Sequence, residues 1–396
     1  MRILISGGGI AGLTLGYFLA EFGHEPLVIE QAASPGMDPR YMIDFYGAGW
    51  EVADRMGLIP ALESIDHAIP QLEFLDANGK RHTTLQYAQV RHRLFHDRHF
   101  NVMRDDLQRV LYEHVRRRVP VRFATWVTAI DERDDGADVH LNDGSTEHVA
   151  LVVGADGVHS RVRELVFGLE PRFVNHLGYM AAAYVVDASA VPELGRGAFY
   201  TLAAPNRQAT IFPLRDGQLA TFFLHRVDPR AVLPPDGPGC RTLSDAFADF
   251  SRYLPTLLDA CARATPLYYA PVVQVQMPRW RSGSVVLIGD ACHCLSVLAR
   301  QGASVAMGGA YLLATELRTT PGVRTALARY QWRLEPSIAR HQASAIRTAR
   351  WFVPSSKTRL ALRDKLLPAM LWPGVAALVR SELVADDLLD SPLPAD

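Results

Sequence analysis

The chain has 396 residues, of which 48% are apolar and 21% charged, a balance ordinary for a globular protein with room for two or three domains. The formal net charge is -1 and the sequence has no long basic run, so its charge gives no argument for nucleic-acid binding. The first strand is expected to start at residue 2 and to run directly into a glycine turn, which leaves no n-region or cleavage site of a signal peptide, so we expect a cytoplasmic protein.

The four cysteines, Cys240, Cys261, Cys292 and Cys294, contain no C-x-x-C pair and no spacing typical of a disulfide framework. We therefore expect reduced thiols, which suits a reducing cytoplasm. In Cys292-His293-Cys294 the possible zinc ligands are closer in sequence than in the usual zinc motifs, and the sequence has no second pair of ligands to complete a site. We expect no metal site.

The opening of the chain has the pattern of a nucleotide-binding unit. Ile3 to Ile5 reads as a buried strand, and the apolar spacing becomes helical from Ile10 to Phe22. Between them, G-x-G-x-x-G is formed by Gly7, Gly9 and Gly12. In this motif the first glycine allows a tight turn, the second admits a pyrophosphate to the backbone, and the third lets helix and strand pack closely.

An acidic residue follows at the place that such a unit requires. Leu27 to Glu30 reads as the second strand with Glu30 at its end, near the usual offset of about 20 residues from the glycines. A carboxylate there accepts hydrogen bonds from an adenosine ribose. Strand, helix, second strand and terminal acid together predict dinucleotide binding.

The middle of the chain predicts mainly strands. Leu72 to Leu75 and Thr83 to Tyr87 predict a hairpin around a turn at Asn78-Gly79. Asn101 to Tyr112 has helical spacing, with acids in the first turn. From Gly178 to Val227, aromatic and β-branched residues alternate with polar ones, which predicts an antiparallel sheet.

The last third predicts a strand followed by helices. Ser284 to Ile288 reads as a buried strand and Gly302 to Leu317 as a helix. The tail from Ala326 is expected to be helical with interruptions at its prolines, Pro336 among them. Leu360 to Val379 is apolar, but its charged residues and two prolines predict a packed or interfacial helix instead of a membrane span.

Two later segments also end an apolar strand in an acid. One leads into Asp156-Gly157, with Ser160 placed to cap the next helix. The other leads into Gly289-Asp290. Each feature alone is common, because Asp-Gly often forms a turn and an acid often caps a helix.

In their order and separation, the glycine loop, Asp156-Gly157 and Gly289-Asp290 together resemble the FAD-dependent aromatic hydroxylases. This is the para-hydroxybenzoate hydroxylase family, which includes tetracycline-inactivating monooxygenases and aromatic polyketide hydroxylases. The resemblance runs from residue 1 to about residue 330. The three motifs together are specific for the fold and the cofactor and much less so for the substrate.

The resemblance implies an α/β fold with a Rossmann-like FAD-binding domain, an inserted antiparallel-sheet substrate domain and a C-terminal helical segment. Since the motifs are spread along the chain, both domains should be discontinuous. We expect an FAD-binding domain of residues 1–70, 101–175 and 271–325, a substrate domain of residues 71–100 and 176–270, and C-terminal helices in residues 326–396.

Family residues map onto matching positions of this chain. The resemblance implies that the glycine loop and Glu30 hold the ADP half of FAD, and that Arg104 lies against the ribityl and pyrophosphate region. Asp290 would accept a ribityl hydroxyl, and Asp156-Gly157 match a motif tied to both FAD and NAD(P)H. The full set of cofactor residues implied is Gly7, Gly9, Ile10, Ala11, Gly12, Glu30, Gln31, Arg40, Arg104, Asp156, Gly157, Gly289, Asp290, Gly302, Ala303 and Ser304.

The segment after His293 departs from the family pattern Pro-x-x-Gly-x-Gly-x-Asn. Val297 replaces the proline, Arg300 the first glycine and Ser304 the asparagine, while Gly302 is kept. A helix should still begin near Gly302 with its positive end toward the flavin. Three roles for Arg300 stay open: to favour the anionic reduced flavin, to bind a substrate carboxylate or phenolate, or to point into solvent. The departure also leaves open whether FAD is redox-active.

The family's reaction uses NADPH or NADH and O2 to hydroxylate or oxygenate an aromatic or polyketide-like molecule, in secondary metabolism or antibiotic modification. The flavin carries the chemistry and the protein supplies positioning and water exclusion, so a catalytic acid or base stays unassigned. The candidates for proton handling or charge stabilisation are His225, His293 and Arg300. We expect a monomer or homodimer whose substrate contacts Met180, Phe212, Pro213 and Phe222.

Three other functions remain open at this point. A halogenase shares the fold, but the sequence has no Trp-x-Trp-x-Ile-Pro segment and no obvious catalytic lysine. A reductase or dehydrogenase would use the same FAD site without consuming oxygen. A non-redox flavoprotein, for example a cyclase, would keep FAD as a structural element.

Overall fold

The computed structural model describes residues 1–36, 41–194, 197–228, 239–264, 267–383 and 388–389. Its strands are β1 (Arg2–Ser6), β2 (Glu25–Ile29), β3 (Met42–Tyr46), β4 (Gln71–Asp76), β5 (Arg81–Gln86), β6 (His99–Met103), β7 (Val121–Arg122), β8 (Val127–Arg133), β9 (Gly136–Leu141), β10 (Thr146–Val149), β11 (Leu151–Gly154), β12 (Val174–Asp187), β13 (Ala198–Ala204), β14 (Arg207–Pro213), β15 (Gln218–Arg226), β16 (Tyr268–Val275), β17 (Arg281–Ser282) and β18 (Val285–Leu287). Its α-helices are α1 (Ile10–Glu21), α2 (Ala48–Arg55), α3 (Ile59–Ile65), α4 (Tyr87–Phe95), α5 (Arg104–Val115), α6 (Arg161–Phe167), α7 (Cys240–Ala246), α8 (Leu254–Cys261), α9 (Asp290–His293), α10 (Gly302–Thr319), α11 (Val323–Phe352), α12 (Lys357–Leu366) and α13 (Pro373–Leu383).

A six-stranded sheet brings the predicted cofactor motifs to one edge. Its order is β17-β18-β11-β1-β2-β7, and every pairing except that of β17 with β18 is parallel. Ile3 to Ile5 are fully buried in β1, as the apolar run predicts for a strand of a parallel sheet. Because parallel strands end at the same edge, the residues that follow β1, β2, β11 and β18 meet there.

A seven-stranded sheet forms the second layer, in the order β16-β12-β15-β14-β13-β4-β5. Only β4 and β13 pair in parallel, so the predicted antiparallel sheet is confirmed and is extended by the hairpin of β4 and β5. The Gly79 N–H donates to the Asp76 carbonyl at 3.0 Å in the predicted turn. One face of this sheet packs against α7 and α8, where Leu243, Leu254 and Leu257 are fully buried.

The helical pattern that starts at Asn101 gives a helix that Arg104 opens, with Asp105 and Asp106 in its first turn as predicted. The residues before it, His99–Met103, pair with β3 as the antiparallel strand β6. Pro336 does not interrupt α11, which runs from Val323 to Phe352 as one helix. Leu334 and Ile338 flank that proline and are buried in the main core, so packing outweighs the lost hydrogen bond.

The apolar stretch Leu360 to Val379 forms parts of two helices instead of one. α12 ends at Leu366 and α13 starts at Pro373, because proline suits a first helical position and breaks a helix interior. Within the described ranges, no helix combines the length and the hydropathy needed to cross a membrane.

The expectation that all four cysteines are reduced is wrong. Cys240, at the start of α7, forms a disulfide with Cys261, at the end of α8, with Cα atoms 5.8 Å apart. Cys292 and Cys294 are free and buried. The pairing depends on α7 and α8 lying side by side on the sheet, which cysteine spacing along the chain does not reveal.

Candidate active site

The glycine loop between β1 and α1 combines two crowded positions with one open position. A Cβ on Gly12 would lie 1.9 Å from the Gly7 carbonyl oxygen, and one on Gly7 would lie 2.3 Å from the Ala155 carbonyl oxygen. A Cβ on Gly9 would meet none of the described residues within 4 Å, so there is open space at the N-cap of α1, next to the buried Ile10 and Ala11. An open helix N-terminus of this kind accepts a pyrophosphate, and the loop therefore fits the ADP half of FAD.

Glu30 holds the glycine loop through both carboxylate oxygens. Its Oε2 accepts a hydrogen bond from the Gly8 N–H at 2.6 Å, and its Oε1 accepts one from the Ala32 N–H at 2.8 Å. Each oxygen has a further lone pair for a ribose hydroxyl, so the predicted contact is compatible with these bonds. Gln31 follows and is exposed, and Arg40 lies outside the described residues.

Arg104 and Asp290 bring opposite charges to the same region. Arg104 opens α5, and Asp290 opens α9 directly after Gly289. Burial raises the pKa of Asp290 above its usual range, and the Arg104 guanidinium opposes that rise. A partly buried carboxyl near an arginine suits a ligand rich in hydroxyl groups, such as a ribityl chain.

Asp156 has a clear structural role. Its Oδ1 accepts a hydrogen bond from the Ser160 hydroxyl at 2.5 Å, and its Oδ2 accepts one from the Val162 N–H at 3.0 Å. Ser160 caps α6 by accepting from the Arg163 N–H at 3.0 Å, which confirms the predicted cap. Asp156 and Gly157 thus shape the turn between β11 and α6, and their contact with a cofactor stays a prediction.

Helix α10 begins at Gly302, as predicted. A Cβ on Gly302 would meet nothing within 4 Å, and Ala303 is partly exposed, so the first turn has room for a ligand. Ser304 is buried, and its Oγ accepts a hydrogen bond from the Tyr46 N–H at 3.4 Å. The Ser304 hydroxyl therefore joins α10 to the end of β3.

A cavity of about 230 Å³ adjoins the segment that precedes α10. Its wall combines side chains of the seven-stranded sheet, of β3 and β6, of residues 297–300 and of the C-terminal helices. Most of this lining is apolar. Its aromatic members are Tyr41, Tyr46, Phe74, Tyr87, Phe95, Phe199, Phe212, Phe222 and Phe352.

Two of the four predicted substrate-contacting residues, Phe212 and Phe222, line this cavity. Met180 lies opposite His225 in the pairing of β12 with β15, on the face away from Phe222. Pro213 follows Phe212 directly, and adjacent strand residues point to opposite faces of a sheet. Met180 and Pro213 are thus not among the described residues that line this cavity, and their contact with a substrate stays a prediction.

His225 and His293 are buried, and neither is among the described residues that line the cavity. The His225 Nε2 lies 2.7 Å from the Tyr269 hydroxyl, and burial lowers the pKa of its ring. Burial lowers the pKa of His293 to about 4, and within the part of the chain that the structure describes its Nε2 has no hydrogen-bond partner. These positions favour structural roles over proton transfer to a molecule in the cavity.

Sequence reasoning missed a polar cluster at the cavity wall. The Arg300 Nε donates to the Asp44 Oδ2 at 2.6 Å, and the His99 Nε2 lies 3.1 Å from the Asp44 Oδ1. Burial favours a higher pKa for Asp44, but the Arg300 guanidinium and His99 outweigh it and hold that pKa well below its usual range. The available signal was an acid at an alternating position of the short apolar strand Met42–Tyr46.

Residues 1–331 match the protein family described as FAD binding domain. A 3-amino-4-hydroxybenzoate 2-monooxygenase of Streptomyces platensis is 31% identical over 388 residues, which cover 93% of this chain and 92% of that protein. A flavin-dependent monooxygenase of Legionella longbeachae is 27% identical over 365 residues, covering 86% of this chain and 87% of that protein.

Solved structures share the fold over nearly the whole chain. The tetracycline destructase Tet(51) superimposes with a TM-score of 0.78 and 25% identity, covering 100% of this chain and 99% of that chain. HpxO of Klebsiella pneumoniae, complexed with FAD and uric acid, has a TM-score of 0.79 and 22% identity, covering 99% and 97%. These similarities confirm the predicted α/β fold with its Rossmann-like sheet.

Proposed function

Because this chain belongs to the FAD binding domain family and is a flavin-dependent monooxygenase, we propose that it inserts one atom of O2 into an aromatic or polyketide-like small molecule, with NADPH or NADH as reductant. The observation that carries this proposal is the aromatic cavity beside the segment that precedes α10. The relatives named above support the substrate class, since one is named for an aminohydroxybenzoate and another for tetracycline.

The chain offers a backbone cradle and two charged side chains for FAD. The glycine loop and Glu30 would hold the ADP half, Arg104 and Asp290 the middle of the molecule, and the open first turn of α10 the flavin end. When bound, FAD would accept a hydride from the nicotinamide and activate O2. We assign FAD binding to a domain made of residues 1–70, 101–175 and 271–325.

The cavity would orient the substrate and exclude water. Phe199 and Phe212 lie stacked at its wall, with ring centroids 5.7 Å apart and an interplanar angle of 8°. Tyr41 lies 6.3 Å from Phe222 between ring centroids. Flat ring systems pack well against such faces, and a dry cavity protects reactive species from hydrolysis. We assign substrate binding to residues 71–100 and 176–270, together with β3, β6, residues 297–300 and the C-terminal helices, which complete the wall.

Anaerobic mixing followed by oxygen tests this function. The FAD-loaded protein is mixed with NADPH or NADH, with and without ring-containing candidates, and flavin bleaching is recorded by absorbance. Isotopically labelled O2 is then admitted and the products are analysed by mass spectrometry. We expect bleaching and one labelled oxygen atom per product molecule.

Other outcomes would identify the alternatives. Bleaching without label in any product indicates a reductase, and the monooxygenase proposal then fails. A flavin that no nicotinamide reduces indicates a structural cofactor, as in a non-redox cyclase.

A further inference from the structure

The mostly apolar cavity contains one charged pair. Of the described residues that line it, Asp44 and Arg300 carry charge, and the Arg300 Nε donates to the Asp44 Oδ2 at 2.6 Å. A guanidinium has five N–H donors in a planar fork, so this bond leaves its two terminal nitrogens for another anion. The Arg300 side chain is 41% exposed. It therefore presents unused donors where a ligand would lie.

Arg300 keeps a backbone conformation that glycine adopts at lower cost. Its φ is 58°, in the left-handed region, where a residue with a Cβ is strained relative to glycine. Such strain at the wall of a cavity indicates that the side chain, not the backbone, is what this position requires.

Asn101 adds a second donor next to the pair. It lies directly opposite Asp44 in the pairing of β3 with β6, where facing Cβ atoms are about 4.5–5.5 Å apart. Its Oδ1 accepts from the Tyr87 hydroxyl at 2.8 Å, whereas its Nδ2 has no hydrogen-bond partner among the described residues. Asn101 is only 1% exposed and lines the cavity, so a ligand oxygen would satisfy an otherwise costly buried donor.

We propose that Arg300 and Asn101 form a subsite for an anionic oxygen of the substrate, a carboxylate or an ionised phenol or enol, on a molecule whose rings fill the apolar part of the cavity. The subsite rests on the function proposed above, because it defines the substrate class of that same cavity. Asp44 offsets the charge of Arg300, and His99 holds its other oxygen. Since the pair is neutral overall, its effect on a flavin's charge is small, and Arg300 acts on a bound anion through its remaining N–H donors.

Matched probes test the subsite without turnover. The FAD-loaded protein is titrated with 2-naphthoate and with its neutral amide, 2-naphthamide, and dissociation constants are read from the change in flavin absorbance. Wild type should prefer the acid. Arg300→Gln should weaken naphthoate binding about tenfold or more, the usual value of a hydrogen bond to a charged group, and naphthamide binding less than about threefold. Asn101→Ala should act in the same direction with a smaller loss.

Two further variants separate recognition from general damage. Arg133→Gln is the control, because Arg133 forms the same kind of Nε–carboxylate pair with Asp138 on the exposed β8–β9 hairpin, and it should change neither affinity. Asp44→Asn removes the acid that competes for Arg300, so naphthoate binding should hold or tighten. If Arg300→Gln does not fold, Arg300→Gly removes the side chain while relieving the backbone, and the same loss of naphthoate affinity is expected.

Several outcomes overturn the subsite. The proposal is wrong if wild type binds naphthoate no more tightly than naphthamide, or if it binds neither probe. Equal losses for both probes in Arg300→Gln, or weaker naphthoate binding in Asp44→Asn, would make the pair merely structural. If labelled oxygen enters the product but wild type does not prefer the acid, the subsite proposal is wrong and the monooxygenase proposal stands. If Arg300 determines a preference for the acid but no oxygen is incorporated, the subsite proposal stands and the monooxygenase proposal is wrong.

Discussion

The cofactor edge and the cavity recognise their ligands with different parts of the polypeptide. At the edge, glycines and backbone N–H groups of a contiguous loop make the cradle, and Glu30 fixes that loop from the next strand. In the cavity, side chains from strands far apart in sequence make the wall, and the Asp44–Arg300 bond joins two segments. Substitutions at the edge should therefore affect folding and FAD affinity, and those in the cavity the choice of substrate.

The largest expected effect is a difference in stability between alanine substitutions at two glycines of the same loop. Gly12→Ala puts a methyl 1.9 Å from a backbone carbonyl oxygen, so we expect a loss of about 3 kcal/mol or more in unfolding free energy, or no folded protein. Gly9→Ala meets nothing within 4 Å and should leave the FAD-free protein as stable as wild type while weakening FAD binding. Thermal unfolding with and without FAD measures both, and equal destabilisation by the two variants would contradict this difference.

The second effect concerns the layer that borders the cavity. Removing the disulfide with Cys240→Ala and Cys261→Ala should lower the unfolding free energy by about 3 kcal/mol, the usual value for a sequence separation of 21. Dithiothreitol should destabilise wild type similarly in urea denaturation and leave the double variant unchanged. FAD affinity should not move, because α7 and α8 pack on the sheet face that carries Phe223, away from the cavity-lining Phe212 and Phe222. A loss of FAD would show that the two regions are coupled.

The third effect is a pH dependence that originates beside the cofactor edge. Folded His293 has a pKa of about 4, against 6.5 for the ordinary side chain, so below pH 6.5 the unfolded state binds more protons and folding weakens. By pH 5 this should cost wild type about 2 kcal/mol that His293→Phe does not lose. Unfolding free energies of both proteins between pH 7 and pH 5 measure the difference, and parallel profiles would refute the buried neutral ring.

The smallest effect should sharpen the role of Glu30. Glu30→Gln keeps the shape but turns one of two acceptors into a donor facing a backbone N–H, so FAD binding should weaken by about 1 kcal/mol. Glu25→Gln, on the exposed first residue of the same strand, is the matched control and should have no effect. Fluorescence titration with FAD gives both affinities. Unchanged affinity in Glu30→Gln would mean that backbone groups alone hold the loop.

Much of the cofactor edge could be predicted because its signals are local. The glycine spacing, the buried run Ile3 to Ile5 and the start of α10 at Gly302 each depend on neighbouring residues, and the structure has them where the pattern predicts. Met180 shows the limit of this reasoning. Its strand was predicted, but the face that it occupies depends on how β12 pairs with β15.

The sequence by itself therefore determined the nucleotide-binding unit, the antiparallel sheet and the family, since consecutive residues with fixed periods encode backbone geometry. Only the tertiary structure decided that Arg300 meets Asp44, that Asn101 faces the same cavity, and that Cys240 pairs with Cys261. The physical reason is that side-chain sites are assembled by strand register and packing between distant segments. The sequence identifies these residues but does not show which of them are in contact.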